Sequence, residues 1–392
     1  MSVIKPIVRT VRDFMLKIFN IFPLQEIAVF ESNPDFNDEG YWLCKRFMDE
    51  KDFKDIKVYW ILKDHDSKPI EGWRIGKIYN KPRNPVEWIK KYYILHTARY
   101  IFDSCEFVKK RRKGQFRLFL FHAMPLKRVD NYMAAVGDFD YFSAGGSFFA
   151  EYYRSLGIPY EKMIFYGLVR NDCLAEAGYD VRLLMGLPHD CKVVLWMPTY
   201  RQHATACDAC NIDFKEGDDT GIPILKDQER LKKVNRKLAG CNMYIVLKLH
   251  QSQNLSLINV NEMSNLKVLN ENILQKNQVQ LYSVIRSTDA LITDYSSIYL
   301  DYLLLDKPIG LTIDDLVEYQ NRVGFVFGDY KKHVKGFYIN DVEDLLVFFE
   351  KLAADPESLN EMHSGSKETF HDVLDFSSGN NVLSFIKTKI VG

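Results

Sequence analysis

The chain lacks an excess of charge of either sign, an apolar run of membrane-spanning length and any regular cysteine pattern. Lysine plus arginine and aspartate plus glutamate number 52 each, so the formal charge is zero. A global field for nucleic acid is thereby excluded, and anion binding has to come from local clusters. No stretch reaches the roughly 18 apolar residues of a spanning helix. The seven cysteines are scattered without the spacing of a disulfide framework. No cleavable secretory leader is read ahead of them, and a reducing, cytoplasmic compartment is expected. Cys207 and Cys210 form an isolated CxxC, with no second Cys or His pair at ligand spacing. No carboxylate cluster recommends itself either, so neither a metal nor a cofactor is expected. Internal repeats and low-complexity tracts are missing too, which removes solenoids and disordered arrays.

What is there is enough chain, 392 residues, for two domains each with its own core. Residues 3–22 place Ile7, Val11, Phe14, Met15, Ile18 and Phe22 at helical spacing among Lys5, Arg9, Arg12 and Lys17. That is a basic amphipathic helix, suited to an anionic membrane interface or to packing on the protein's own core. Lys109-Lys110-Arg111-Arg112-Lys113 is a second basic run, either a solvated loop or a further contact to anionic lipid.

From about residue 27 strands alternate with helices. Strands are expected at 27–30, 56–62, 100–102, 116–121, 163–166, 193–196, 244–247, 290–292 and 309–311. Helices are expected at 38–50, 86–95, 147–155, 225–239, 281–287, 298–305, 341–354 and 380–390. Such alternation argues for parallel sheets covered on both faces, whose ligands bind at the carboxyl ends of the strands. Gly186-Leu187-Pro188-His189-Asp190 reads as the connection between two such units, and residues 202–222 as a loop or insertion.

Chemically useful residues gather at five strand ends: 122–128, 167–172, 198–201, 248–250 and 293–297. His122 is followed by Lys127 and Arg128, and its imidazole can take a proton near neutral pH. Arg170 offers a guanidinium suited to phosphate, or a partner for Asp172. Thr199 and Arg201 repeat the pairing of hydroxyl and cation, and Lys248 stands beside His250. Thr293-Asp294-Tyr295-Ser296-Ser297 is a hydroxyl-rich turn between a strand and a helix. Free N–H groups and the helix dipole favour an anion there, while Asp294 or Ser296 can equally act as a helix cap.

Taken together, these motifs resemble the CDP-glycerol glycerophosphotransferase family, the teichoic-acid and capsule primases and polymerases, over most of residues 25–330. The family's His-Gly-Thr-Pro-Leu-Lys stands here as His122-Ala123-Met124-Pro125-Leu126-Lys127, and Pro-Arg-Asn-Asp as Val169-Arg170-Asn171-Asp172. Pro-Thr-Tyr/Trp-Arg stands as Pro198-Thr199-Tyr200-Arg201, and Lys-Leu-His-Pro as Lys248-Leu249-His250-Gln251. Thr293 to Ser297 match in full, as does Asp301 one turn on. Ala123 and Met124 for Gly and Thr, Val169 for Pro and Gln251 for Pro are departures; the first bears on the natural substrate.

The resemblance implies an α/β fold of the GT-B class, two Rossmann-like domains facing across a nucleotide-binding cleft. The domains expected are a membrane-contacting helix at 1–24, an acceptor domain at 25–186, a CDP-polyol domain at 187–365 and a closing C-terminal segment at 366–392. It implies transfer of a polyol phosphate from CDP-glycerol, or a related CDP-polyol such as CDP-ribitol, to a hydroxyl of a lipid-linked acceptor with release of CMP. His122 is then the general base, and His250, with Lys248, Ser296 and Ser297, holds the pyrophosphate. Arg170, Thr199 and Asp301 line the donor site, and Glu318 is placed to reach the ribose. Ala123, Met124, Pro125, Leu126, Lys127, Pro198, Arg201, Leu249, Thr293 and Asp294 complete the substrate-binding set by position in the motifs. Donor, lipid-linked acceptor and an anionic membrane surface are the partners implied, nucleic acid is not, and an oligomer is left open. A peripheral location on the cytoplasmic face of a bacterial membrane follows. A nucleotide-sugar glycosyltransferase of the same fold and an inactive scaffold are the competing readings.

Overall fold

In the computed structural model the alternation becomes two sheets in which every pairing between strands is parallel. The structure describes residues 16, 18–67, 70, 72–105, 108–122, 124–130, 136–176, 178–199, 220–249 and 262–390. Ala123, Arg201, His250, the Cys207/Cys210 pair and most of the helix expected at 3–22 lie outside them.

The chain divides into two compact units, the first made of Met1–Ala123, Asp130–Asp172 and Ser377–Gly392. Its described strands are β1 (Gln25–Phe30), β2 (Lys57–Leu62), β3 (Gly76–Tyr79), β4 (Ala98–Asp103), β5 (Phe116–Leu120), β6 (Tyr141–Ser143) and β7 (Met163–Ile164). They lie in the order β3-β2-β1-β4-β5-β6-β7. Ala28, Val29 and Phe30 of β1 and Ile101 and Phe102 of β4 are wholly buried, as strands covered on both faces must be. Helix α1 (Asp38–Asp49) starts at Asn37, whose side chain accepts Asp38 N–H at 2.7 Å. Helix α2 (Pro85–Thr97) starts at Asn84, which accepts Glu87 N–H at 2.9 Å, with Pro85 in the first turn where a missing N–H costs nothing.

The second unit is Met124–Val129 with Cys173–Phe376. Its elements are β8 (Lys192–Met197), α3 (Gln228–Gly240), β9 (Met243–Leu247), β10 (Leu266–Val268), β11 (Ala290–Thr293), α4 (Ile298–Leu303), β12 (Ile309–Thr312), α5 (Leu316–Arg322), β13 (Phe337–Ile339) and α6 (Val342–Ala354). The sheet runs β10-β9-β8-β11-β12-β13. Leu231, Val234 and Leu238 of α3 and Leu345, Phe348 and Phe349 of α6 share one core with Val194, Trp196, Ile245 and Ile292. Each such side chain contributes about 1.5–3 kcal/mol on burial.

Three features differ from the sequence reading. The chain leaves the first unit at Asp172, well before Gly186. Residues 179–182 are already tied to the second unit: Tyr179 N–H donates to Ser283 O at 2.9 Å, Val181 N–H to Ser287 Oγ at 2.8 Å and Arg182 Nη1 to Ser287 O at 2.9 Å. Gly186 instead closes the short helix Val181–Met185 in a left-handed conformation. Helix α4 ends at Leu303 rather than at residue 305. Pro308 cannot continue a helix and forces its predecessor out of the helical region, so the chain turns at Asp306 (φ 49) to enter β12. Finally, β3, β6, β10 and β13 escaped the reading, being too short to show a period.

The last helix, α7 (Ser378–Ile390), belongs to the first unit. Lys387 pairs with Glu50 at 2.8 Å and Gly379 N–H donates to Asp172 Oδ2 at 2.7 Å. A Cβ at Gly379 would run into the Arg46 guanidinium and stand 2.8 Å from Asp172 Oδ2, so close approach demands glycine here.

Candidate active site

Strand order reverses between β1 and β4 in the first sheet and between β8 and β11 in the second. At such a switch point the loops after two neighbouring strands diverge to opposite faces and leave a crevice at the carboxyl edge.

In the first unit a carboxylate ties the two strand ends together. Glu31, wholly buried after β1, accepts Ser104 N–H at 3.0 Å and Cys105 N–H at 2.9 Å after β4. His122 follows the neighbouring strand β5 and is half-buried, its ring edge-on to Phe121 at 4.9 Å. Its Nδ1 stands 3.8 Å from Cys105 Sγ. Burial, with Glu31 nearby, pushes the Cys105 thiol up to about 12, so a neutral thiol faces the imidazole.

Arg170 does not face outward. It lies in the 3-10 turn Val169–Leu174, and its guanidinium donates to the main-chain oxygen of His122 and to Asp38 Oδ1, the latter at 2.6 Å. Glu39, the second residue of α1, accepts Val169 N–H at 2.9 Å and Arg170 N–H at 3.2 Å. Burial raises its carboxyl to about 8, against the opposing pull of Arg170. Asp172 pairs with Arg46 at 2.9 Å. Glu31, Asp38, Glu39 and Cys105 were not singled out from the sequence. Acidic residues in the first turn of a helix read as dipole compensation, and nothing local pairs them with a motif 130 residues away.

Residues 124–129 belong to the second unit. Met124, Pro125 and Leu126 are buried, Leu126 O accepts Val326 N–H at 3.0 Å, Lys127 bridges Phe325 in antiparallel register, and Arg128 N–H donates to Gly324 O at 3.2 Å. The segment is thus held by its backbone and apolar side chains.

At the second switch point Asp294 does what Glu31 does in the first. It is wholly buried and accepts Thr199 N–H at 2.9 Å and Thr199 Oγ1–H at 2.6 Å, with Tyr295 N–H also at 2.6 Å. Thr293 Oγ1 donates to Met197 O at 2.7 Å, and Tyr330 Oη to Asp294 O at 2.7 Å. Thr199, Thr293 and Asp294 therefore build the floor of the site. Ser296 and Ser297, half-buried in the turn after β11, form no side-chain hydrogen bond among the described residues. Pro198, next to Thr199, and Leu249, next to Lys248, are buried, and Lys248 is ion-paired with Glu271 at 2.8 Å. Asp301 is buried and accepts Tyr282 Oη–H at 2.6 Å; Glu318 stands 3.8 Å from Arg322 on α5. Among the described residues no cluster of His, Cys, Asp and Glu could hold a metal, and no helix is long and apolar enough to cross a membrane.

Two Rossmann-like α/β units with polar switch points define the GT-B class of transferase folds. The sequence profile of the CDP-glycerol:poly(glycerophosphate) glycerophosphotransferases matches residues 15–388, and the chain belongs to that family. It is 24% identical over 366 residues to a teichoic acid poly(glycerol phosphate) polymerase of Staphylococcus epidermidis, covering 86% of this chain and 45% of the relative. It is 22% identical over 372 residues to the polymerase of Bacillus spizizenii, covering 86% and 87%. The chain thus spans about half the length of the first and most of the second. A solved structure of the wall teichoic acid polymerase TagF soaked with CDPG has a TM-score of 0.74 at 18% identity, covering 99% of this chain and 96% of that one, which shows the shared fold.

Proposed function

We propose that the chain is a glycerophosphotransferase that moves glycerol phosphate from CDP-glycerol to a hydroxyl of a lipid-linked saccharide or polyol-phosphate chain in teichoic-acid synthesis. Membership of the family carries the reading, and the chemistry of the two strand edges fits it. The acceptor oxygen attacks the glycerol-linked phosphorus, the P–O bond to CMP breaks, and the acceptor proton passes to His122. Charge develops on the CMP phosphate as it leaves, and fixed donors aimed there stabilise the transition state. The Ser296 and Ser297 hydroxyls are suited to that task, with His250, Lys248 and Arg201 adding positive charge by their place in the motifs. The firm anchoring of Thr199, Thr293 and Asp294 supports a floor under the donor rather than direct ligands; Asp301 and Glu318 are assigned to the donor side.

The acceptor's lipid calls for a membrane face, and we place the protein peripherally on the cytoplasmic side. In the first unit Phe22 packs on Tyr93 of α2 at 5.4 Å, and Arg112 of the basic run donates to Phe22 O at 2.6 Å. Nearby side chains on the 18–22 segment and α2 are open to solvent, Ile21 at 80% and Val86 at 74%. Apolar side chains beside cations suit anionic lipid, each cation adding about 1 kcal/mol.

The test is CMP release from CDP-glycerol, CDP-ribitol and a set of nucleotide sugars with a lipid-linked acceptor, comparing wild type with His122→Ala. CMP from CDP-glycerol, lost in the variant, is expected. Nucleoside diphosphate release from a nucleotide sugar would replace this reading with glycosyl transfer.

A further inference from the structure

We propose that Arg170 is a positioning residue for His122 and not a ligand of substrate phosphate; the proposal rests on His122 being the base. The guanidinium side chain is 3% exposed, so it does not present its fork to an incoming anion. Nη1 donates to both the main-chain oxygen of His122 and the Asp38 carboxylate, and Nε stands 3.9 Å from Glu39 Oε1. The Asp38 carboxylate against the guanidinium also offsets the positive field a phosphate would need.

The turn carrying Arg170 is itself fixed from three directions. Glu39 takes the N–H groups of Val169 and Arg170 from α1. Arg46, two turns further along α1, holds Asp172 at 2.9 Å. Gly379 N–H, from the start of α7, donates to the same carboxylate at 2.7 Å. Arg170 thus transmits a rigid frame to the peptide of His122, at the point where the chain has left β5 and no longer has a sheet partner to orient it. Fixing that carbonyl fixes the peptide plane and the direction in which the imidazole leaves the backbone. Cys105 Sγ stands 3.8 Å from Nδ1 of the ring. A general base works only within hydrogen-bond reach of its proton, and a displacement of about 1 Å can cost about 100-fold in rate.

The experiment is steady-state kinetics on Arg170→Lys, Arg170→Met and Asp38→Asn, with His122 ring signals followed by NMR on histidine-labelled protein. A positioning role gives kcat lowered about 10- to 100-fold by Arg170→Met, less by Asp38→Asn, with the KM for CDP-glycerol within about twofold, and a moved His122 resonance. Added guanidinium should restore part of the lost kcat. A KM for the donor raised tenfold or more at unchanged kcat and unmoved His122 signals would overturn it in favour of a phosphate ligand. Should Arg170→Met fail to fold, Arg170→Lys and Asp38→Asn give the same split. If His122→Ala keeps full activity, the reading of the base falls instead. The His122 resonance in Arg170→Lys then still decides the clasp, an unmoved signal refuting it.

Discussion

Asp294 and Thr199, 95 residues apart in sequence, are joined by three hydrogen bonds at the second switch point: Thr199 N–H to both carboxylate oxygens at 2.9 and 3.0 Å, and the Thr199 hydroxyl to Oδ1 at 2.6 Å. The most acidic residue of the hydroxyl-rich turn is therefore a staple between β8 and β11. Within these five consecutive residues the aspartate is committed to the fold, while the two serine hydroxyls make no side-chain hydrogen bond among the described residues.

That division is measurable in stability. Asp294→Ala leaves the Thr199 N–H and hydroxyl and the Tyr295 N–H buried without their acceptor. A cost of about 2–4 kcal/mol is expected from lost charged hydrogen bonds and stranded donors. Urea unfolding reads it, and a change below about 0.5 kcal/mol would mean that the staple is ornamental.

The serines should behave the opposite way. Ser296→Ala and Ser297→Ala remove hydroxyls that make no side-chain hydrogen bond among the described residues, so stability should stay within about 0.5 kcal/mol. Each should weaken use of the donor by about 10-fold or more, the worth of a hydrogen bond to a charged group. Unfolding curves beside kcat/KM for CDP-glycerol separate the two effects.

Glu39 makes a pH prediction. Its folded pKa of about 8 lies above the ordinary 4.5 because burial disfavours the charge. The folded state thus holds the proton more tightly than the unfolded chain. The resulting stability is complete below pH 4.5 and is lost as pH rises to about 8. At about 1.4 kcal/mol per unit, the loss is on the order of 4 kcal/mol over that window. Glu39→Gln, neutral throughout, should flatten the profile and exceed wild type in stability at pH 8. An unchanged slope in the variant would assign the titration to another group.

Asp103 and Arg117, both fully buried, form a two-pronged pair with Nε and Nη2 each at 2.8 Å. Asp103→Ala strands the guanidinium and should cost about 3–5 kcal/mol, whereas the double change Asp103→Leu with Arg117→Met should recover much of it. A double-mutant cycle by denaturant unfolding gives the coupling, and a double variant as unstable as the single one would contradict it.

Much of this was legible in the sequence. Strands β1, β8, β9 and β11 announce themselves as apolar runs because both faces are covered; the serines fall where β11 ends and His122 where β5 ends. Strands β6, β10 and β13, of three residues each, carry too little pattern to be read. The roles within the site were less legible than its members. Arg170 looks like a phosphate ligand because its neighbours in sequence are polar, while the carboxylate that occupies it, Asp38, is 132 residues away. Asp294 looks like a helix cap because the helix is adjacent, while its partner Thr199 follows another strand, β8. Side-chain chemistry is local, but the partner that spends it is fixed by topology.

Helix α7 has a consequence for how the protein is made. Gly379 and Lys387 complete contacts to Asp172 and Glu50, yet about 200 residues separate Asp172 from the helix that joins it. At about 5–20 residues per second, a ribosome needs roughly 10–40 s to cross that distance. Throughout that interval the emerging N-terminal sheet must wait with its docking face bare, so the order of synthesis favours the continuous β8–β13 sheet finishing while the earlier one is still incomplete.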